Sequence, residues 1–315
     1  MKIRMFIAAL AVTAVASGSA FAAEMPSEIN IAYVKAPFNL QCMVIKEKGM
    51  MEKAFEKDGV KISWKTITSG AQQAQAMAGG ALQVSEVMNT ASILMGNGAG
   101  NPVRIATGAA HPADTFAIVA AKGGPKSIRD LKGKKVAGPR GTVLHQTLVA
   151  ALVREGMKQS DVEFVPMGIP AALAAVTSGN VSAALVAASA VIKAKAAGCR
   201  VLTTAKGLVN VNLVTTVSKD FYDKHPQAVE KVVAVQREAL KWIRANWSEA
   251  VAIGAREHGI SMAEAAQLAR WSNYYDTLTE RDIQGLADDQ DFLVENGMMA
   301  RKVNVREIVL PTALR

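Results

Sequence analysis

The sequence predicts an α/β protein built from two similar doubly wound units. Short apolar strands alternate with helices from Ile29 onward. The alternation runs through once and restarts near Phe116. A Gly-led turn recurs at matching places: Gly80-Ala81-Leu82-Gln83-Val84 in the first half and Gly179-Asn180-Val181-Ser182-Ala183 in the second. Each reads as a glycine ending a helix ahead of a buried strand. Strands alternating with helices argue for a mostly parallel sheet flanked by helices.

In order, Ile29–Val34 reads as an apolar strand, Leu40–Phe55 as a helix and Lys61–Thr66 as an alternating strand. Ala71–Ala78, rich in Ala, Gln and Met, reads as a helix, Gln83–Met88 as a strand and Ala91–Met95 as the start of another helix. The second unit begins with strand Phe116–Ala121. Ser127-x-x-Asp130 has the form of a helix cap. Strand Lys135–Ala137, helix Thr142–Glu155, strand Val162–Val165, helix Pro170–Thr177, strand Ala183–Val186 and helix Ala190–Ala197 follow, and strands Val201–Thr204 and Leu213–Val217 close the unit. The remainder is helical. Val229, Val232, Val233, Leu240 and Ile243 give His225–Asn246 an apolar stripe at helical spacing.

The first residues predict export. Lys2 and Arg4 precede the apolar run Met5–Val15, and Ala20-Phe21-Ala22 fits a small-x-small cleavage site, so residues 1–22 read as a signal peptide. The run is too short to span a bilayer, and no later segment reaches the roughly 18 unbroken apolar residues that a span needs. Half of the 315 residues are hydrophobic, enough for two ordinary cores. The net charge of +9 falls by two once Lys2 and Arg4 are removed. The charges are scattered, with no basic stripe and interleaved aromatics, which argues against nucleic acid and suits an anionic ligand. Cys42 and Cys199 sit in apolar surroundings in separate halves and read as small buried hydrophobes rather than a disulfide.

Signatures of catalysis are missing from the sequence. Gly96-Asn97-Gly98-Ala99-Gly100-Asn101 follows a helix rather than a strand and lacks the last glycine of a dinucleotide loop. His111, His145, His225 and His258 are isolated, without zinc-ligand spacing. No Gly-x-Ser-x-Gly elbow is present. The expectation is a binding protein rather than an enzyme, without cofactor or metal.

Ile29-Asn30-Ile31-Ala32-Tyr33, Lys46-Glu47-Lys48-Gly49-Met50-Met51, Ser127-Ile128-Arg129-Asp130-Leu131-Lys132-Gly133-Lys134-Lys135-Val136-Ala137, Gly141-Thr142, and Phe221 with His225-Pro226 form an ordered set. That set resembles the ABC-transporter solute-binding proteins of the aliphatic sulfonate/nitrate/taurine type. The family's usual Asp in the Gly-x-x-Asp turns is Gln83 and Ser182 here. The resemblance implies a type II periplasmic-binding-protein fold, with lobe one near 27–110 plus 217–315 and lobe two near 111–216. The hinge would be His111–Thr115 and Asn210–Thr216. It also implies a periplasmic monomer that passes a small or organic anion (sulfonate, nitrate or taurine class) to membrane permease subunits. The alternatives are an enzyme of the same fold acting on a pyrimidine-type vitamin precursor, and an exported ligand-sensing module.

Helix N-termini offer unpaired N–H groups and the positive dipole end to an anion. The candidate contacts therefore lie at strand-to-helix junctions. Asn39, Ser69 with Gly70 and Gln72, and Asn89 with Thr90 belong to the first unit. Arg140, Gly141, Thr142 and His145 belong to the second, with Ser189 as the counterpart of Asn89; Met167-Gly168-Ile169-Pro170 is a further junction. Asn39, Ser69, Asn89 and Thr142 equally suit plain helix caps. Arg140 suits either a bidentate anion contact or a solvated surface, and His145 either a contact or a packing residue. No acidic residue falls at any of these junctions, which disfavours an amine-bearing ligand such as taurine.

Overall fold

The computed structural model describes residues 25–315. The leader expected over residues 1–22 lies outside them. The elements are β1 (Glu28–Ala32), α1 (Leu40–Glu47), α2 (Met50–Phe55), β2 (Lys61–Lys65), α3 (Gly70–Ala78), β3 (Val84–Asn89), α4 (Thr90–Gly98), β4 (Val103–Ala110), β5 (Phe116–Ala120), β6 (Lys135–Gly138), α5 (Val143–Arg154), β7 (Glu163–Pro166), α6 (Ile169–Thr177), β8 (Ala183–Ala187), α7 (Ser189–Ala196), β9 (Arg200–Thr204) and β10 (Leu213–Ser218). Six helices follow: α8 (Lys219–Lys224), α9 (Pro226–Ala245), α10 (Trp247–His258), α11 (Met262–Ser272), α12 (Glu280–Glu295) and α13 (Val305–Ile308).

They form two five-stranded sheets, ordered β2-β1-β3-β10-β4 and β7-β6-β8-β5-β9. In the first, β1 pairs in parallel with β2 and β3, while β10 runs antiparallel between β3 and β4. The second repeats the scheme: β6 is parallel to β7 and β8, and β5 runs antiparallel between β8 and β9. Strands buried on both faces must be apolar throughout, and β5 (FAIVA) and β8 (AALVA) are fully buried. The amphipathic helix α9 packs Val229, Val232 and Val233 with Ile29, Ile31 and Phe55 over the first sheet.

Three differences from the sequence reading have physical causes. The helix expected over Leu40–Phe55 is broken in two, because Gly49 adopts φ 59°, a left-handed conformation that ends α1. Strand β4 went unread: Arg104, Thr107 and Gly108 interrupt its apolar run, yet pairing with β10 buries most of it. Strand β10 was placed at the end of the second unit. It inserts instead between β3 and β4, where Thr216 and Val217 meet Ile105 and Arg104. Cys42 and Cys199 are both buried free thiols.

Two chain segments pass between the sheets, from β4 to β5 and from β9 to β10. Tyr275 ties them together. Its ring stacks on His111 at 4.0 Å between centroids, and its hydroxyl donates to Asn212 Oδ1.

A buried acid lies in the first-sheet core. Glu86 on β3 is fully buried, accepts from Gln236 Nε2 and has no partner at Oε1. Burial pushes its carboxyl up from 4.5 to about 8, so the folded state keeps the proton. Stability from this group is full below the unfolded value and is lost as pH rises through the folded value, with a slope of about 1.4 kcal/mol per unit. Glu86→Gln should therefore flatten the loss of urea stability between pH 5 and pH 8.5. An unchanged pH profile would show that Glu86 does not titrate there.

Candidate ligand-binding cavity

Between the sheets lies a cavity of about 610 Å³. Five helices begin on its wall. Ser69 and Gly70 open α3, Asn89 opens α4, Thr142 and Val143 open α5, Gly168 to Pro170 open α6, and Ser189 opens α7. All five starts follow strands, β2, β3, β6, β7 and β8 in turn, so the cavity lies beyond the carboxyl ends of strands, where open α/β sheets bind ligands.

Local chemistry shapes several of these helix starts. Ser69 and Thr142 occupy N-cap positions, yet neither side chain caps its own helix. The Thr142 hydroxyl donates instead to the Pro139 carbonyl at 2.9 Å. Gly70 is required by packing, since a Cβ there would lie 2.6 Å from Ser92 Oγ. Buried Gln73, one turn into α3, is pinned by Ser85 at 2.8 Å and by the Ile67 carbonyl at 2.6 Å. The start of α7 follows a strained residue. Ala188 has φ 48° and ψ −117°, and its N–H donates to the Thr115 carbonyl at 2.8 Å. A non-glycine residue in such a region carries roughly 1–3 kcal/mol of strain.

Direct hydrogen bonds join the two halves around the cavity. Asn89 Oδ1 accepts from Ser92 N at 2.9 Å in its own helix and from Val143 N at 3.1 Å across the gap. Ser92 Oγ donates to the Gly141 carbonyl at 2.9 Å, and Gln146 Nε2 donates to Asp289 Oδ1 at 3.0 Å. Ser189 Oγ meets His258 Nδ1 at 2.8 Å, while His258 Nε2 lies 3.0 Å from the Lys35 carbonyl. A carbonyl only accepts, so Nε2 carries the proton and Ser189 donates to Nδ1. Burial lowers the His258 pKa, which keeps the ring neutral.

Of the sequence candidates, Ser69, Gly70, Asn89, Thr142 and Ser189 meet on this wall. The others do not line it. Asn39 is buried, and its amide donates to the Val34 and Ala36 carbonyls, which shapes the loop before α1. Gln72 faces outward from α3. Thr90 is buried, with its N–H bonded to the Asn212 carbonyl. Arg140 is exposed and lays its guanidinium over the Phe164 ring at 5.1 Å. His145 stacks on the same ring at 4.6 Å, with its pKa lowered to about 4 by burial and then by Arg140. The guanidinium gains a cation–π contact on that face, while Gly141 beside it is held by Ser92 across the gap.

The sequence reading missed the charged part of the wall. Lys35, Lys46, Lys193 and Glu257 all line the cavity, together with Tyr33 and His258. Glu257 pairs with Lys35 at 3.5 Å, and Lys46 sits 3.9 Å above the Tyr33 ring. Glu257 corrects the expectation that no acid reaches the site. Tyr33 and Lys35 follow β1 directly, so the rule about carboxyl ends of strands marks them. Glu257 and His258, at the end of α10, carry no local signal.

Two sheets of this topology with a cavity between them define the type II periplasmic-binding-protein architecture. Comparison with solved structures agrees. The alkanesulfonate-binding protein from Xanthomonas axonopodis pv. citri, bound to MOPS, superposes with TM-score 0.82 at 19% identity, covering 90% of this chain and 98% of that one. The taurine-binding periplasmic protein of Escherichia coli (strain K12) is 27% identical over 274 residues, 79% of this chain and 82% of its own length. A putative aliphatic sulfonates-binding protein of the same strain is 24% identical over 318 residues, 97% of both chains. The chain belongs to the NMT1/THI5-like family, which it matches over residues 44–250. Among the described residues, no helix is long and apolar enough to cross a membrane and no cluster of His, Cys, Asp or Glu is arranged for a metal.

The strain at Ala188 is testable. Glycine adopts that conformation freely, so Ala188→Gly should melt no lower than the parent. Ala187→Gly, one residue earlier in β8, should melt several degrees lower, because a strand interior loses about 0.5–1 kcal/mol to glycine. Equal losses at both positions would mean that Ala188 is unstrained.

Proposed function

We propose that this chain is the periplasmic solute-binding component of an ABC importer and that it captures organic anions of the sulfonate type for delivery to a membrane permease. The observation that carries this reading is the convergence of five helix starts, from both sheets, on one cavity. The named functions of the relatives support it. The lobes are assigned near 27–110 plus 213–315, which takes β10 into the first, and near 111–212, closing about the segments that cross between the sheets. Ligand contacts are assigned to Ser69, Gly70, Asn89, Thr142 and Ser189.

The size of the cavity selects within the anion class. A volume of 610 Å³ is that of roughly twenty waters at ~30 Å³ each. A bare nitrate or taurine leaves most of it to water. Much of the remaining wall is apolar: Val87, Met88, Phe116, Leu144 and Leu213 line it, as do Ile169 and Leu173, one turn apart on α6. The last two are only half-buried. Cargo with an apolar body covers this surface while its acid group sits at the helix starts.

Calorimetric titration with straight-chain alkanesulfonates tests the proposal. Affinity should rise about fourfold per methylene, the worth of burying one CH₂, until the cavity is filled. The matching alkanols should bind far more weakly. A protein that binds alkanols as well as sulfonates has no anion site. A flat series would mean that the apolar wall is idle. Arg140→Ala should leave these affinities unchanged, because its guanidinium rests on Phe164 outside the cavity.

A further inference from the structure

Two helices that face each other across the cavity share one cap. The start of α5 belongs to the second sheet, and its own N-cap side chain, Thr142, is turned away to the Pro139 carbonyl. Its first N–H, at Val143, is satisfied instead by Asn89 Oδ1 from the first sheet. The same oxygen caps α4 through Ser92 N. A carbonyl oxygen has two lone pairs, and here one serves each lobe. Ser92 Oγ reinforces the contact through the Gly141 carbonyl. The other end of the Asn89 amide has no acceptor among the described residues. Its Nδ2 lies 3.3 Å from the place a Cβ on Gly70 would take, and Asn89 and Gly70 both line the cavity.

We propose that Asn89 couples ligand capture to lobe closure: its amide N–H group donates to the anion while its oxygen caps a helix in each lobe. This rests on the reading of the cavity as an anion site. The coupling follows from the geometry of a carboxamide. Oxygen and nitrogen share one plane, so holding the nitrogen against cargo fixes the direction of the oxygen. With the oxygen fixed, Val143 N–H finds its acceptor only when the lobes are together. Asn89 is thus a positioning residue for closure as well as a contact.

Two substitutions separate the halves of the proposal. Asn89→Ala removes both the cap and the donor. Asn89→Asp keeps an oxygen at both helix starts, where a negative charge is favoured, but removes the N–H and faces the ligand with like charge. Amide exchange at Val143, in the free chain and at saturating 1-octanesulfonate, reads the latch. It should be about fivefold faster in Asn89→Ala, the worth of one neutral hydrogen bond, and no faster in Asn89→Asp. Exchange in Asn89→Ala equal to the parent overturns the latch. Titration with 1-octanesulfonate reads the coupling. Asn89→Asp should bind at least tenfold more weakly with Val143 still protected, and parental affinity in that variant overturns the ligand-facing role. If the parent itself does not bind 1-octanesulfonate, the anion reading falls, and the exchange arm still decides the latch. Circular dichroism of both variants confirms the fold.

Discussion

The first turn of any helix has N–H groups that the helix itself cannot satisfy. In this molecule that constraint is met at one place for five helices. Val143 N is satisfied from across the gap and Ser92 N by the cap of its own helix, and all five starts lie on the cavity wall. Everything that defines the site follows from where those starts are put. The repeated strand order in the two sheets brings the carboxyl ends of β3, β6 and β8 to the same gap. The inserted antiparallel strands β10 and β5 each adjoin a segment that carries the chain between the sheets.

Electrostatics in the cavity divide by depth. Uncharged donors stand at the helix starts, where the low-dielectric wall makes each hydrogen bond count. The charged side chains are at the rim: Lys35 and Glu257 pair there in a partly solvated setting, which costs little and contributes little. The contact between Ser189 and His258 fixes the imidazole as a neutral acceptor, so it joins the two halves without adding charge to the cavity wall.

Much of the fold was legible because its signals are local. Apolar runs punctuated by Gly80 and Gly179 mark strand entries, and five of the proposed junction residues do meet on the wall. What escaped the sequence is non-local. Pairing partners decide that Leu213–Ser218 belongs to the first sheet, and nothing within those six residues says so. From the sequence Arg140 suits an anion contact and a solvated surface equally, because neighbours distant in the chain decide between them. Its guanidinium found an aromatic face instead. Glu257 and His258 reach Lys35 only because α10 packs back toward the loop after β1.

A crystal structure of the chain in complex with 1-octanesulfonate tests the central claim most directly. The account predicts the sulfonate oxygens within hydrogen-bonding distance of helix starts from both sheets, Ser69 to Gly70 or Asn89 on one side and Thr142 or Ser189 on the other. Its alkyl chain should lie along Ile169 and Leu173. A sulfonate held by one sheet alone, or resting outside on Arg140, would contradict it.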